Sequence, residues 1–183
     1  AEAGKALPSL ILFGPPGCGK TTFARIVCSR DDVFTETCHA IETGAKLLKE
    51  VCERARMRKL TERKRTLVFV DEIHRLNRAQ QDVLLSSLES GDVALLGATT
   101  ENPSHTLNPA LISRCQVLQF DPLSDDDLFE LVRRGFQAMD REVNAVLSEE
   151  ARHRLLQLSD GDARRLLNFV EWLGVEVAPS QPL

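Results

Sequence analysis

The chain has 183 residues, 43% of them hydrophobic and 27% charged, with a formal net charge of -4; these proportions exclude intrinsic disorder, collagen and a disulfide-stapled miniprotein, and the length suits one domain, or one domain with a small appendage. Apolar runs such as Leu67 to Val70 are strand-sized and far short of the ~20 residues of a membrane span, and Ala1 to Ala6 lack the pattern of a signal peptide, so no membrane partner is expected. Five cysteines without a C-x-x-C pair argue against a zinc site or disulfide framework and for a reducing compartment, while an acidic chain confines any nucleic-acid contact to a local basic patch.

From the start, apolar runs alternate with helix-like segments, the pattern of an α/β fold with a parallel sheet. Five strands are expected, at Leu10 to Phe13, Val33 to Cys38, Leu67 to Val70, Val93 to Gly97 and Val117 to Phe120. Helices are expected between them at Lys20 to Arg30, Gly44 to Lys59 and Arg78 to Glu89, with a short turn at Pro109 to Ser113. Asn77 with Gln80 three residues on has the spacing of a capping box at the start of the third helix. After Asp121-Pro122 only helices are expected. Ser124 precedes Asp125, Asp126 and Asp127, whose charge suits a helix N-terminus. Two more helices follow, at Ser148 to Leu158 and Asp162 to Leu173, separated by Ser159-Asp160-Gly161. The expected organisation is an α/β nucleotide-binding core over residues 1–121, a small all-α lid over 122–178 and a tail or linker over 179–183.

The first strand runs into Gly14-Pro15-Pro16-Gly17-Cys18-Gly19-Lys20-Thr21, a complete G-x-x-x-x-G-K-[ST] phosphate loop opening a helix. Its glycines let consecutive backbone N–H groups face phosphates, and the helix N-terminus adds positive potential. Lys20 brings a mobile charge to the β- and γ-phosphates and the Thr21 hydroxyl can ligate Mg²⁺, with Thr22 completing the nucleotide-binding stretch. The third strand ends in Asp71-Glu72, at the edge where open α/β sheets bind ligands. Asp71 would complete the metal site with Thr21, and Glu72 would orient and deprotonate an attacking water. On residues alone, the reading is a metal-dependent nucleoside triphosphatase.

The combination resembles the AAA+ ATPases. In that family a polar "sensor 1" residue follows the fourth strand, here within Ala98-Thr99-Thr100-Glu101-Asn102-Pro103, which points to Thr100 first and Asn102 second. Ser113-Arg114-Cys115 resembles the S-R-C motif of clamp loaders, whose arginine reaches a neighbouring subunit's site. Gly161-Asp162-Ala163-Arg164 is similar to "sensor 2", where a lid arginine contacts the nucleotide of its own subunit. The wording Gly-Pro-Pro-Gly-Cys-Gly-Lys-Thr-Thr, Asp-Glu-Ile-His-Arg-Leu-Asn-Arg-Ala-Gln-Gln-Asp and Gly-Ala-Thr-Thr-Glu-Asn-Pro-Ser is more particular still. From about Leu7 to Asn168 it resembles the replication-associated recombination protein A family, which includes Werner helicase-interacting protein. The resemblance implies a DNA-associated, oligomeric ATPase using ATP and Mg²⁺ at replication forks or in recombination and repair, cytoplasmic in a prokaryote or nuclear in a eukaryote. It also implies homo-oligomeric AAA+ partners in a longer parent, and weak binding of forked, gapped or single-stranded DNA by this module. The adenine-holding segment and the oligomerisation region of the family flank the part that carries the resemblance. Two alternatives share the motifs: a clamp-loader subunit, and an ATP-binding assembly module with negligible hydrolysis.

Arg54, Arg56, Arg58, Lys59, Arg63, Lys64 and Arg65 crowd the end of the second helix and the loop after it. They could meet phosphates, but no aromatic residue among them offers base stacking, and a solvated face is the favoured reading. His74 is read as a structural hydrogen-bonder rather than a catalyst and His39 as a strand-end side chain. Phe169 and Trp172, three apart on the last helix, are read as lid core, and Cys18 as a small loop residue.

Overall fold

The computed structural model describes residues 8–31, 33–143 and 147–176; the expected tail at Pro179 to Leu183 lies outside them. Five strands, β1 (Leu10–Phe13), β2 (Phe34–His39), β3 (Thr66–Asp71), β4 (Val93–Thr99) and β5 (Gln116–Gln119), form one sheet in the order β2-β3-β4-β1-β5. Every pairing is parallel. The central strands β3 and β4 are near-continuous apolar runs, as strands covered on both faces must be. The edge strands β2 (FTETCH) and β5 (QVLQ) are more polar and more exposed.

The strand period of two sorts side chains onto the sheet's two faces. Ile11, Val68, Val70 and Leu95 pack with Leu48, Val51, Ile73, Leu84 and Leu111. Their neighbours Leu12, Leu67, Phe69, Ala94, Leu96 and Ala98 pack with Ala24 on the other face. The first cluster is covered by α2 (Ala45–Glu62) and α3 (Arg78–Glu89), and the second by α1 (Lys20–Cys28).

The capping box is formed: Asn77 accepts from Gln80 N–H at 3.0 Å while Gln80 Oε1 accepts from Asn77 N–H at 2.7 Å. Gln80 and Gln81 are buried, and both the oxygen and the nitrogen of each side-chain amide are hydrogen-bonded. Gln80 Nε2 donates to Thr43 O at 2.6 Å, and Gln81 bridges Leu76 O at 2.9 Å and Asn108 N–H at 2.7 Å. They tie the start of α3 to the flanking loops.

Boundaries differ from expectation where punctuation is missing. The second helix runs on to Glu62 because no glycine or proline stops it, and it ends only at Arg63, in the left-handed conformation at φ 55°. β4 continues two residues beyond Gly97, since Ala98 and Thr99 still pair with Leu12 and Phe13. Two four-residue helices, α4 (Pro103–Thr106) and α5 (Pro109–Ile112), stand where only the second turn was expected, each capped by an asparagine and opened by a proline.

The chain divides into two compact units: residues up to Gly14 with Lys20–Phe120, and Pro15–Gly19 with the chain from Asp121 onward. In the second unit the described elements are helical: α6 (Asp125–Gln137), α7 (Glu149–Ser159) and α8 (Ala163–Glu176). Ser124 and Asp127 form a capping box on α6, and Ser148 caps α7. Apolar residues at helical spacing, Leu128, Val132 and Phe136 on α6 and Leu166, Val170 and Leu173 on α8, meet with Leu155 in one core. Phe169 packs against this core as expected, whereas Trp172 is 61% exposed.

Candidate functional site

Sheet order places three strand exits side by side. β4 lies between β1 and β3, with Ile11 and Val70 both level with Gly97. Gly14 leaves β1, Asp71 ends β3 and Thr99 ends β4 at the same edge. Because β2 pairs with β3 and not with β1, the chain reverses its order across the sheet between β1 and β4, the crevice where such sheets take ligands.

Gly14 is required by close approach, because a Cβ there would collide with the carbonyl oxygen of Phe120. Its own N–H donates to Thr99 O at 3.3 Å, extending the ladder one residue beyond β1. Lys20 opens α1, is buried, and donates from Nζ to Gly14 O at 2.8 Å, which folds the lysine back toward the start of its own loop. Thr21 is half-buried and Thr22 exposed on the first turn of α1.

Asp71 Oδ1 accepts the N–H of Glu72 at 3.1 Å. Glu72 holds a left-handed backbone at φ 54° and ψ 45°, a conformation costly for a residue with a Cβ and often found at functional positions. Its carboxylate lies 3.4 Å from His74 Nδ1. His74 is nearly buried, sits 2.9 Å from the hydroxyl of the fully buried Thr99, and has Nε2 3.5 Å from Glu101 Oε1. This group was not picked out in the sequence, where His74 is a lone histidine after a strand and Thr99 one of two adjacent threonines. Of the two sensor candidates, Thr100 is exposed just beyond β4, while the Asn102 side chain is taken up in capping α4 through Ser104 N–H at 3.0 Å.

Arg114 stands apart from these residues. It precedes β5, which runs parallel to β1, so it lies at the opposite edge of the sheet from Gly14 and Asp71. Its guanidinium meets Glu89 Oε1 at 2.6 Å and Ala110 O at 2.8 Å. Beside it, burial pushes the Cys115 thiol up to about 11, so this cysteine stays neutral at physiological pH.

Within the second unit, Gly17 has φ 70°, and a Cβ there would collide with the carboxylate of Asp162. Gly17 O accepts the N–H of Ala163 at 3.3 Å. Asp162 Oδ1 accepts from Arg164 N–H at 2.8 Å and Arg165 N–H at 3.1 Å, capping α8. The phosphate loop thus touches the start of the helix that carries Arg164. Cys18 is buried in that loop.

The basic cluster divides. Arg54 meets Glu36 Oε2 at 2.9 Å. Arg58 donates to Thr66 Oγ1 at 2.8 Å and covers the Phe34 ring, and Lys59 meets Asp92 at 3.1 Å. Arg56, Arg63, Lys64 and Arg65 are exposed.

Two oxygen donors, the Thr21 hydroxyl and the Asp71 carboxylate, suit Mg²⁺, a hard cation that keeps most of its shell as water and phosphate. Among the described residues, no group of three or more His, Cys, Asp or Glu is arranged to hold a metal. Nor is any described helix long and apolar enough to cross a membrane.

A phosphate loop leaving a central parallel strand, with two carboxylates at the exit of the strand two places away, is the arrangement of the α/β phosphate-loop proteins. Residues 10–123 match the family described as ATPase family associated with various cellular activities (AAA), and the chain belongs to that family. It is 46% identical over 169 residues to ATPase WRNIP1 of Dictyostelium discoideum, covering 90% of this chain and 19% of that protein. To replication-associated recombination protein A of Escherichia coli K12 it is 40% identical over 183 residues, covering 93% and 41%. Among solved structures, the K64R mutant of Thermotoga maritima RuvB matches with a TM-score of 0.75 at 26% identity, covering 91% of this chain and 54% of that one. The structure titled Thermotoga maritima RuvB Holliday junction branch migration motor matches at 0.72 and 28%, covering 91% and 54%. The chain therefore spans less than half the length of these curated relatives and about half of the solved ones.

Proposed function

We propose that this chain is the Mg²⁺-dependent ATP-hydrolysing module of a DNA-associated AAA+ protein acting at replication forks or in recombination and repair. The observation that carries the enzymatic part is the shared sheet edge: Gly14 at the exit of β1 and Asp71-Glu72 at the exit of β3, with one strand between. Residues 14–22 cradle the phosphates, Lys20 turning from Gly14 O to the β- and γ-phosphates. Thr21 and Asp71 hold Mg²⁺, which when bound neutralises developing phosphate charge. Glu72 orients and deprotonates the attacking water, and Thr100 lies at the same edge to bridge the carboxylates and the γ-phosphate. Arg164 stands one residue from the Ala163–Gly17 hydrogen bond, within the same unit as Gly17. The DNA part rests on the names of the relatives, replication-associated recombination protein A and the RuvB branch migration motor. The exposed Arg56, Arg63, Lys64 and Arg65 are the residues available for a weak, sequence-independent phosphate contact.

The test separates binding from chemistry. Titration with a fluorescent ATP analogue should show affinity lost in Lys20→Ala and kept in Glu72→Gln, with hydrolysis lost in both. Equal losses of affinity would refute the roles given to the two residues.

A further inference from the structure

We propose that His74 is a positioning residue that holds the Glu72 carboxylate toward the attacking water through its Nδ1–H; this rests on Glu72 being the residue that activates water. The groups around Nδ1 assign the tautomer. The Thr99 hydroxyl oxygen accepts Glu101 N–H at 3.0 Å and lies 3.2 Å from Glu101 O. A carboxylate only accepts, so Glu72 Oε2 at 3.4 Å from the same nitrogen favours the tautomer with its proton on Nδ1, which then donates to Thr99 Oγ1 at 2.9 Å. The same N–H presents its positive end to Glu72 Oε2, an electrostatic contact at 3.4 Å that is longer than the bond to Thr99.

The surroundings fix the ring. His74 is 7% exposed and Thr99 fully buried, so Nδ1 cannot swing out to solvent, whereas the Glu72 carboxylate is 43% exposed. Its left-handed backbone, set by the turn into Ile73–Arg75, brings its carboxylate back over His74. A half-exposed carboxylate on a strand exit is thereby linked, through His74, to the last residue of β4, the strand that separates β3 from β1. A base that must meet a water within a few tenths of an ångström gains from such a tether, and misplacement by about 1 Å can cost on the order of a hundredfold in rate.

The experiment uses three substitutions and a spectroscopic readout. Asn places an N–H two bonds from Cβ, as Nδ1 is; Gln places one three bonds out, as Nε2 is; Leu removes both. Turnover with Mg²⁺ and ATP should fall about tenfold or more in His74→Leu and His74→Gln and stay near wild type in His74→Asn, with analogue affinity unchanged in all three. In a Glu72→Gln background, His74→Leu should cost nothing further. Nitrogen-15 NMR of the chain, which has only four histidines, should find His74 protonated on Nδ1, with that resonance moving in Glu72→Ala. Asn failing with Leu, affinity falling together with turnover, or a His74 resonance indifferent to Glu72→Ala would each overturn the proposal. If Glu72→Gln itself hydrolyses ATP normally, the role of Glu72 fails first, and the NMR contact then reports only a structural pair.

Discussion

At the scale of single residues, three glycines of the phosphate loop have positive φ for different reasons. Gly14 is pressed against Phe120 O, and Gly17 at φ 70° against Asp162, but Gly19 at φ 96° has no atom within 4 Å of where a Cβ would stand. Gly19→Ala should therefore cost only the left-handed backbone, ~1–2 kcal/mol, while Gly17→Ala should cost more, because Asp162 must also give way. Asp162→Ala removes the cap on α8 and should cost about 1 kcal/mol. Urea unfolding of the three variants checks the order; equal losses for Gly17→Ala and Gly19→Ala would mean that Gly17 and Asp162 do not meet in solution. The motif G-x-x-x-x-G-K-T shows that glycines are wanted at these positions. It does not tell which of them answers a neighbour, because those neighbours, Phe120 for Gly14 and Asp162 for Gly17, stand 106 and 145 positions further along the chain. The pair Thr99-Thr100 was illegible for a similar reason: two identical side chains point to opposite faces, and only the pairing of Phe13 with Thr99 shows which one turns inward.

At the scale of elements, the strands and most helices were legible because apolar runs, capping residues and turn residues agreed. The second helix outran its expected end, and α4 was missed because four residues are too few to show a period, even though Asn102-Pro103 marks its start. The basic cluster resolves in a way that charge alone could not show. Glu36, on the exposed edge strand β2, takes both Arg54 Nε at 3.2 Å and Nη2 at 2.9 Å, with Arg58 at 3.6 Å, so two of the seven basic residues fasten α2 to the sheet edge. The Arg54 hydrogen bond is the largest influence holding the Glu36 carboxyl below its ordinary value. A lowered carboxyl stabilises the fold fully above its unfolded value of about 4.3 and loses that contribution as pH falls through the lowered folded value. Glu36→Gln should thus lower stability by up to about 1 kcal/mol at pH 7, and the gap to wild type should close as the pH is taken below 4. Unfolding curves measured across that range check it; a gap that stays constant with pH would mean that Glu36 contributes by packing rather than by charge.

At the scale of the whole molecule, the direction of β5 decides what Arg114 can do. Arg114 lies at the start of β5, and Phe120 beyond its end donates to Phe13 O and packs against Gly14. Six residues of extended chain separate them, ~20 Å, which an arginine side chain does not span. Arg114 therefore cannot reach its own phosphate loop, and its pairing with Glu89, 50% exposed, is an exposed ion pair worth at most about 1 kcal/mol, readily exchanged for a triphosphate. If Arg114 acts, it acts on a second copy of the chain, and arginines supplied this way contribute about 10³–10⁵ in rate in related phosphate-loop enzymes. Turnover per molecule should then rise with protein concentration. A mixture tests this: under the proposed roles, Glu72→Gln protein donates Arg114 without hydrolysing, and Arg114→Ala protein keeps Glu72 but receives no arginine from its own kind. Mixed at a concentration where the wild type is active, the two should regain part of the activity that each lacks alone, because some interfaces pair an intact Glu72 with an intact Arg114. A mixture that stays inactive while cross-linking shows the two variants associating, or an Arg114→Ala protein that hydrolyses normally, would leave Ser113-Arg114-Cys115 as no more than the turn entering β5.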